Sequence, residues 1–172
     1  MKQNLRIQLC IACMLCFQWH TSMAQEKPNI IFFFTDDQAY DTQKDFGNPD
    51  VKTPRLDELA KRGVVFLRHY NTTAICMASR ASVMTGQYEY KAGCNFDHGP
   101  LGTKQWSTSY PILLRESGYR VGFAGKFGFS VSDNHDKWDK EGEVARHDFD
   151  FWGGSPGQTS YVTAQNKSMA AY

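Results

Sequence analysis

Asn29-Ile30-Ile31-Phe32-Phe33-Phe34 runs without a polar interruption and stops at Thr35-Asp36-Asp37. A strand with one wet face alternates polar and apolar residues, so an unbroken run predicts a strand covered on both faces. That environment belongs to the middle of a parallel sheet flanked by helices and narrows the fold class to α/β. Asp36 and Asp37 then fall at the carboxyl end of the strand, the edge where open α/β sheets receive ligands. Neighbouring residues on a strand point to opposite faces, so the two carboxylates can share one ion only where the chain is already turning. Hard oxygen ligands of this kind suit calcium or magnesium, and the plainer reading is a turn or a helix cap.

The elements that follow alternate in the same sense. Thr53-Pro54-Arg55-Leu56-Asp57-Glu58-Leu59-Ala60-Lys61-Arg62-Gly63 has the grammar of a helix: Thr as N-cap, Pro first, acids early, bases late, Gly after the end. Val64 to Tyr70 reads as a strand, Tyr110 to Ser117 as a helix ended by Gly118, and Tyr119 to Ala124 as a further strand. This order predicts a mostly parallel sheet with right-handed crossovers. Lys126, in Gly125-Lys126-Phe127-Gly128, would emerge at the carboxyl edge, the alternative being a solvated loop lysine. Ser130 to His147 is dense in charge and reads as an exposed insertion; His135 and His147 lack the i, i+4 spacing of a helical metal pair. The aromatics of Phe149-Asp150-Phe151-Trp152 read as core or as a pocket wall.

The amino terminus bounds the compartment. Lys2 and Arg6 precede an apolar run from Leu9 to Phe17, and Ser22-Met23-Ala24 looks like a cleavage site, so residues 1–24 read as an export signal and 25–172 as one domain. A membrane span needs about 20 apolar residues, and Gln18 and His20 interrupt this run. A lipid anchor on Cys13 or Cys16 is the other alternative, with Cys10-Ile11-Ala12-Cys13 a loose match to a lipoprotein box. The expected location is exported, periplasmic or secreted, with no stable membrane span. From 19 basic and 18 acidic residues, loss of Lys2 and Arg6 leaves a net charge of −1, which gives no basis for a nucleic-acid partner.

Chemistry concentrates between Asn71 and Gln87. Residues 78–84 can form a short helix ended by Gly86, with Cys76 just ahead of its amino terminus, where free N–H groups and the positive dipole end attract anions. Arg80, four residues after Cys76, returns about one turn later over the same loop. Cys76 and Cys94 are the cysteines left after removal of the leader, and an oxidising compartment permits a disulfide between them; the other reading is modification of Cys76, leaving Cys94 as a thiol. Asn71-Thr72-Thr73 fits a glycosylation sequon.

The run Cys76-Met77-Ala78-Ser79-Arg80, with Thr85-Gly86-Gln87 behind it, resembles the sulfatase signature. Three further stretches extend the resemblance to the amino-terminal half of that family, within the alkaline-phosphatase-like superfamily: Pro28 to Asp37, Thr53-Pro54 to Phe66, and Gly118-Tyr119 to Lys126 with Phe149-Asp150 beyond. Together they cover roughly Lys27 to Gly154, and their order and spacing carry the match.

The resemblance implies an incomplete alkaline-phosphatase-like α/β domain and a sulfuric ester hydrolase acting on a sulfated glycan or another sulfate ester. It implies that a maturase converts Cys76 to formylglycine, whose hydrate attacks sulfur with one hydroxyl and expels sulfate with the other. Asp36, Asp37 and the modified Cys76 would hold a divalent cation, usually calcium, with magnesium as the alternative. Arg80 would hold the diol oxygen, and Lys126 the sulfate or bridging oxygen. Two positions depart from the family pattern: Ala78 replaces a proline, and Gly128 replaces a histidine two residues after the lysine. Family members continue further to supply more metal ligands, another histidine and another lysine, so the resemblance implies a fragment inactive alone. A formylglycine-dependent phosphodiesterase or phosphonate hydrolase, and a non-catalytic exported domain that binds calcium or a sulfated glycan, are the alternatives.

Overall fold

Thr53 and Pro54 start the first long helix as their sequence dictates, α1, Pro54–Arg62. The Thr53 hydroxyl donates to the Asp57 carboxylate at 2.9 Å rather than accepting from a backbone N–H, and the basic residues of the last turn complement the dipole. The computed structural model describes residues 26–134, 143–155 and 157. The expected leader at 1–24 and His135 therefore lie outside the described residues. The chain divides into two units, Met1–Thr35 and Asp36–Tyr172.

In the first unit the apolar run from Asn29 to Phe34 forms no strand; its side chains are exposed, Phe33 at 85%, and the Phe32 and Phe34 rings stack at 5.8 Å. The expectation of a buried central strand is corrected here, because an apolar run becomes a strand only through a ladder with a neighbour. Val64 to Tyr70, in the second unit, likewise forms no strand, and Val64 and Phe66 are exposed.

Two short 3-10 turns, Tyr40–Thr42 and Lys44–Phe46, precede α1. After it come α2, Cys76–Thr85, α3, Glu89–Ala92, α4, Thr103–Trp106, and α5, Tyr110–Glu116. Helix α2 starts two residues earlier than the composition suggested, with Cys76 as its first residue and Ile75 as N-cap. It ends as read: Gly86 adopts φ 66°, a left-handed conformation that costs glycine little, and its N–H closes on the Ser82 carbonyl at 2.8 Å.

Strand β1, Gly122–Lys126, and strand β2, Phe151–Ser155, pair in parallel with Gly122 opposite Phe151 and Lys126 opposite Ser155; the short helix α6, Glu143–Arg146, lies between them in the chain. The strand lies later than its predicted span, Tyr119 to Ala124, because Val121 instead meets Asp150: its N–H donates to the Asp150 carboxylate at 2.7 Å, and its carbonyl accepts from the Asp150 N–H at 2.8 Å. Helices with a parallel pair make this an α/β fold, as expected.

The core forms beside the pair. Phe127, just past β1, and Phe129 are fully buried with ring centres 4.2 Å apart, and Trp106 meets Phe127 edge-on while its indole N–H donates to Asp148 at 2.6 Å. Phe149 and Trp152 complete the cluster, as their reading as core required, whereas Phe151 between them is exposed. Ser130 and Val131 are buried and tied to Leu101, whose N–H donates to the Ser130 carbonyl at 2.9 Å, so the charged segment begins inside the fold rather than as exposed insertion. Among the described residues no helix is long and apolar enough to cross a membrane.

Candidate active site

Helix α2 carries the first two site residues. Its buried face, Met77, Ala78, Arg80, Ala81 and Met84, fixes its rotation, and Cys76 at the first position is partly buried. The N–H groups of that first turn have no partner within the helix, as at any helix start. Arg80 is one turn further on, with a side chain only 8% exposed. Its guanidinium donates to the Lys126 carbonyl at 2.6 Å and lies 3.7 Å from the Asp36 carboxylate. The loop to Cys76 is pinned from the other side: Asn71 Nδ2 donates to the buried Ser79 hydroxyl at 3.0 Å.

Strand β1 delivers Lys126 to the same place. Its ammonium donates to Asp36 Oδ2 at 2.6 Å, with the lysine side chain 11% exposed. Asp36, Arg80 and Lys126, separated by up to 90 residues, are thus brought together. The hydrogen bond from Lys126, reinforced by its charge and that of Arg80 and opposed by partial burial, holds the Asp36 carboxyl below its ordinary 3.8. Asp37 is exposed beside it with φ 52°, so the chain does turn at this pair as a shared ion would require.

Gly128 explains how Arg80 reaches the site. At φ 83° it is left-handed, and a Cβ there would stand 2.5 Å from Arg80 Cδ and 3.2 Å from Arg80 Nε. The arginine stem therefore lies where a side chain at position 128 would begin. Sequence reasoning marked Gly128 as a departure, but nothing local revealed that the space belongs to Arg80. It also missed the engagement of Asn71 with Ser79, which the sequon reading obscured.

Cys76 and Cys94 are both free thiols, so the disulfide alternative is not formed. Burial pushes the Cys94 thiol up to about 12, which leaves it with almost no nucleophilic thiolate at neutral pH. Among the described residues no three His, Cys, Asp or Glu side chains gather into a group able to hold a metal ion, and both oxygens of Asp36 face protein cations. These residues alone do not fit a divalent cation.

Two cations thus meet one carboxylate, and one of them, Arg80, stands one turn after the cysteine that starts the helix. The sequence model of the sulfatase family matches residues 28–170. The chain belongs to the sulfatase family. Among sulfatases it is 39% identical over 123 residues to an ulvan-active sulfatase of Formosa agariphila, covering 72% of this chain and 24% of that protein. It is 29% identical over 175 residues to human steryl-sulfatase, covering 91% of this chain and 30% of that one. It is 30% identical over 132 residues to an N-acetylglucosamine-6-O-sulfatase of Bacteroides thetaiotaomicron, covering 74% of this chain and 23% of that protein. The chain thus spans about a quarter of the length of these sulfatases.

Proposed function

We propose that this chain carries the nucleophile and the anion-holding cations of an exported sulfuric ester hydrolase, with residues 1–24 as its leader and 25–172 as its sulfatase part. The observation that carries this reading is the convergence of Lys126 and Arg80 on one carboxylate, 2.6 and 3.7 Å away, with Arg80 one turn from Cys76. A group that holds a carboxylate in this way offers a sulfate oxygen the same charge and donors. As charge builds on the oxygens around sulfur, a largely buried ammonium and guanidinium stabilise it without reorganising.

Cys76, converted by a maturase to formylglycine, supplies the attacking oxygen in this reading. A divalent cation, calcium with magnesium as the alternative, belongs to it too, with Asp36, Asp37 and residue 76 as ligands. The described residues do not complete its coordination. Arg80 and Lys126 carry the work of this chain's own side chains: they bind the anion, orient it and neutralise its charge. The relatives named for ulvan and for N-acetylglucosamine support a sulfated glycan as substrate class, whereas the name of the steryl-sulfatase points elsewhere.

The test is the intact mass of the Cys76 peptide after export from cells that contain a maturase. Conversion removes about 18 Da, whereas a disulfide removes about 2 Da and reverses on reduction. An unaltered or bridged sulfur overturns the reading. Gly128 supports a second reading, a non-catalytic anion-binding domain, since it offers no proton acceptor where the family pattern has one. Turnover of an aryl sulfate by converted protein excludes that second reading, and faster turnover of an aryl phosphodiester would identify the phosphodiesterase alternative.

A further inference from the structure

An open cavity of about 440 Å³ is lined by Thr72, Tyr88, Glu89, Tyr90, Asn95 and His98 among others. None of these residues belongs to the cation site. Tyr88 and Tyr90 flank Glu89 at the start of α3, and their rings stack with centres 6.1 Å apart and planes 14° from parallel. They are 59% and 78% exposed, so their ring surface is offered outward rather than used in the core.

The polar side of the cavity is preorganised. Glu89 accepts a hydrogen bond from the Thr73 hydroxyl with one carboxylate oxygen and one from Asn95 Nδ2 at 2.7 Å with the other. Asn95 Oδ1 accepts from the backbone N–H groups of Asp97 and His98 and stands 2.9 Å from His98 Nδ1. The two neutral donors hold the Glu89 carboxyl below its ordinary value, so it is ionised at neutral pH. Each of its oxygens keeps a lone pair for a further donor.

We infer that this cavity binds a neutral sugar ring. Aromatic faces offer a rigid apolar platform for the C–H side of a pyranose, and a fixed carboxylate, an amide and an imidazole offer partners for its hydroxyls. The carboxylate disfavours an anion, so a sulfate group does not sit here. The two rings are stacked on each other and form no cage around a cation. Thr72 on the cavity wall is four residues from Cys76, a separation of at most about 14 Å for an extended chain. The inference deepens the sulfate-ester reading and rests on it for one point only: the sulfated ring of the same oligosaccharide lies towards Cys76 while an unsulfated neighbour fills the cavity.

The experiment is saturation-transfer NMR and calorimetric titration of the full chain with cellobiose and N,N′-diacetylchitobiose. Glucuronate serves as the anionic counterpart and tetramethylammonium as the cationic one. Expected are transfer to the ring protons of at least one neutral disaccharide, about tenfold weaker binding in Tyr88→Ala and Tyr90→Ala, and several-fold weaker binding in Glu89→Gln. Circular dichroism confirms that each variant folds, which the exposure of Tyr90 favours. No neutral-sugar binding, equal binding of glucuronate, preferential binding of tetramethylammonium, or binding unmoved in all three variants overturns the inference. Neutral-sugar binding without the mass loss at Cys76 leaves this site standing while the sulfatase reading falls; the reverse result removes this site alone.

Discussion

Val64-Val65-Phe66-Leu67 and Gly122-Phe123-Ala124-Gly125-Lys126 exchange the roles their compositions suggest. The first is built of strand-favouring apolar residues, yet it is exposed and forms no strand; the second contains two glycines and is a strand of the parallel pair. The difference lies in the neighbours. Gly122–Lys126 meets Phe151–Ser155 along its whole length, with Asp150 clamping Val121 at the entrance and Phe127 anchored in the core at the exit. Strand propensity measures fit to a pleated, half-buried surface, and without a ladder there is no such surface to fit.

Core substitution gives the largest effect that can break this comparison. Phe127→Ala is expected to cost about 3–5 kcal/mol in urea unfolding, whereas Phe66→Ser should stay within about 0.5 kcal/mol. Equal losses would mean that the apolar run is packed after all. Gly128→Ala should cost about 1–3 kcal/mol, since it combines a left-handed backbone with a Cβ only 2.5 Å from Arg80 Cδ. A double-mutant cycle with Arg80→Ala checks the cause: the steric part should disappear in the double variant, and strict additivity would disprove the shared space.

Trp106→Phe keeps most of the buried ring and removes the indole donor to Asp148. About 1 kcal/mol should be lost on thermal unfolding, with the core otherwise retained. Asp36→Asn gives the smallest change, under about 1 kcal/mol, because that carboxylate is 40% exposed and screened by water. Its titration sharpens the comparison from the site's side. The folded carboxyl titrates below 3.8, so its stabilisation is complete above that pH and is lost as pH falls through the folded value. Carbon NMR of Asp36 should show the depressed midpoint, and Lys126→Met should move it back towards 3.8.

The sequence was most legible where the signals were local. Thr53-Pro54 and Gly63 bounded α1, and Gly86 ended α2. The partners of the two cations were not legible: Arg80 grips a carbonyl 46 residues away and Lys126 a carboxylate 90 residues away. Such contacts depend on how β1 and β2 align and leave no pattern around either residue. The apolar runs at 29–34 and 64–67 misled for the same reason, since composition states what a segment could bury and not what lies opposite it. The Cys76 motif identified the family and left Asp37 without a described partner for a cation.

The grip of Arg80 on the Lys126 carbonyl, together with the reach of the Lys126 amine to Asp36, ties the charge site to the alignment of two strands. Sliding β1 by one residue would turn Lys126 to the opposite face of the sheet and undo both contacts at once. The cations thus act as an index pin for the pairing, and a ligand that draws Lys126 towards itself places the strand pair under mechanical load.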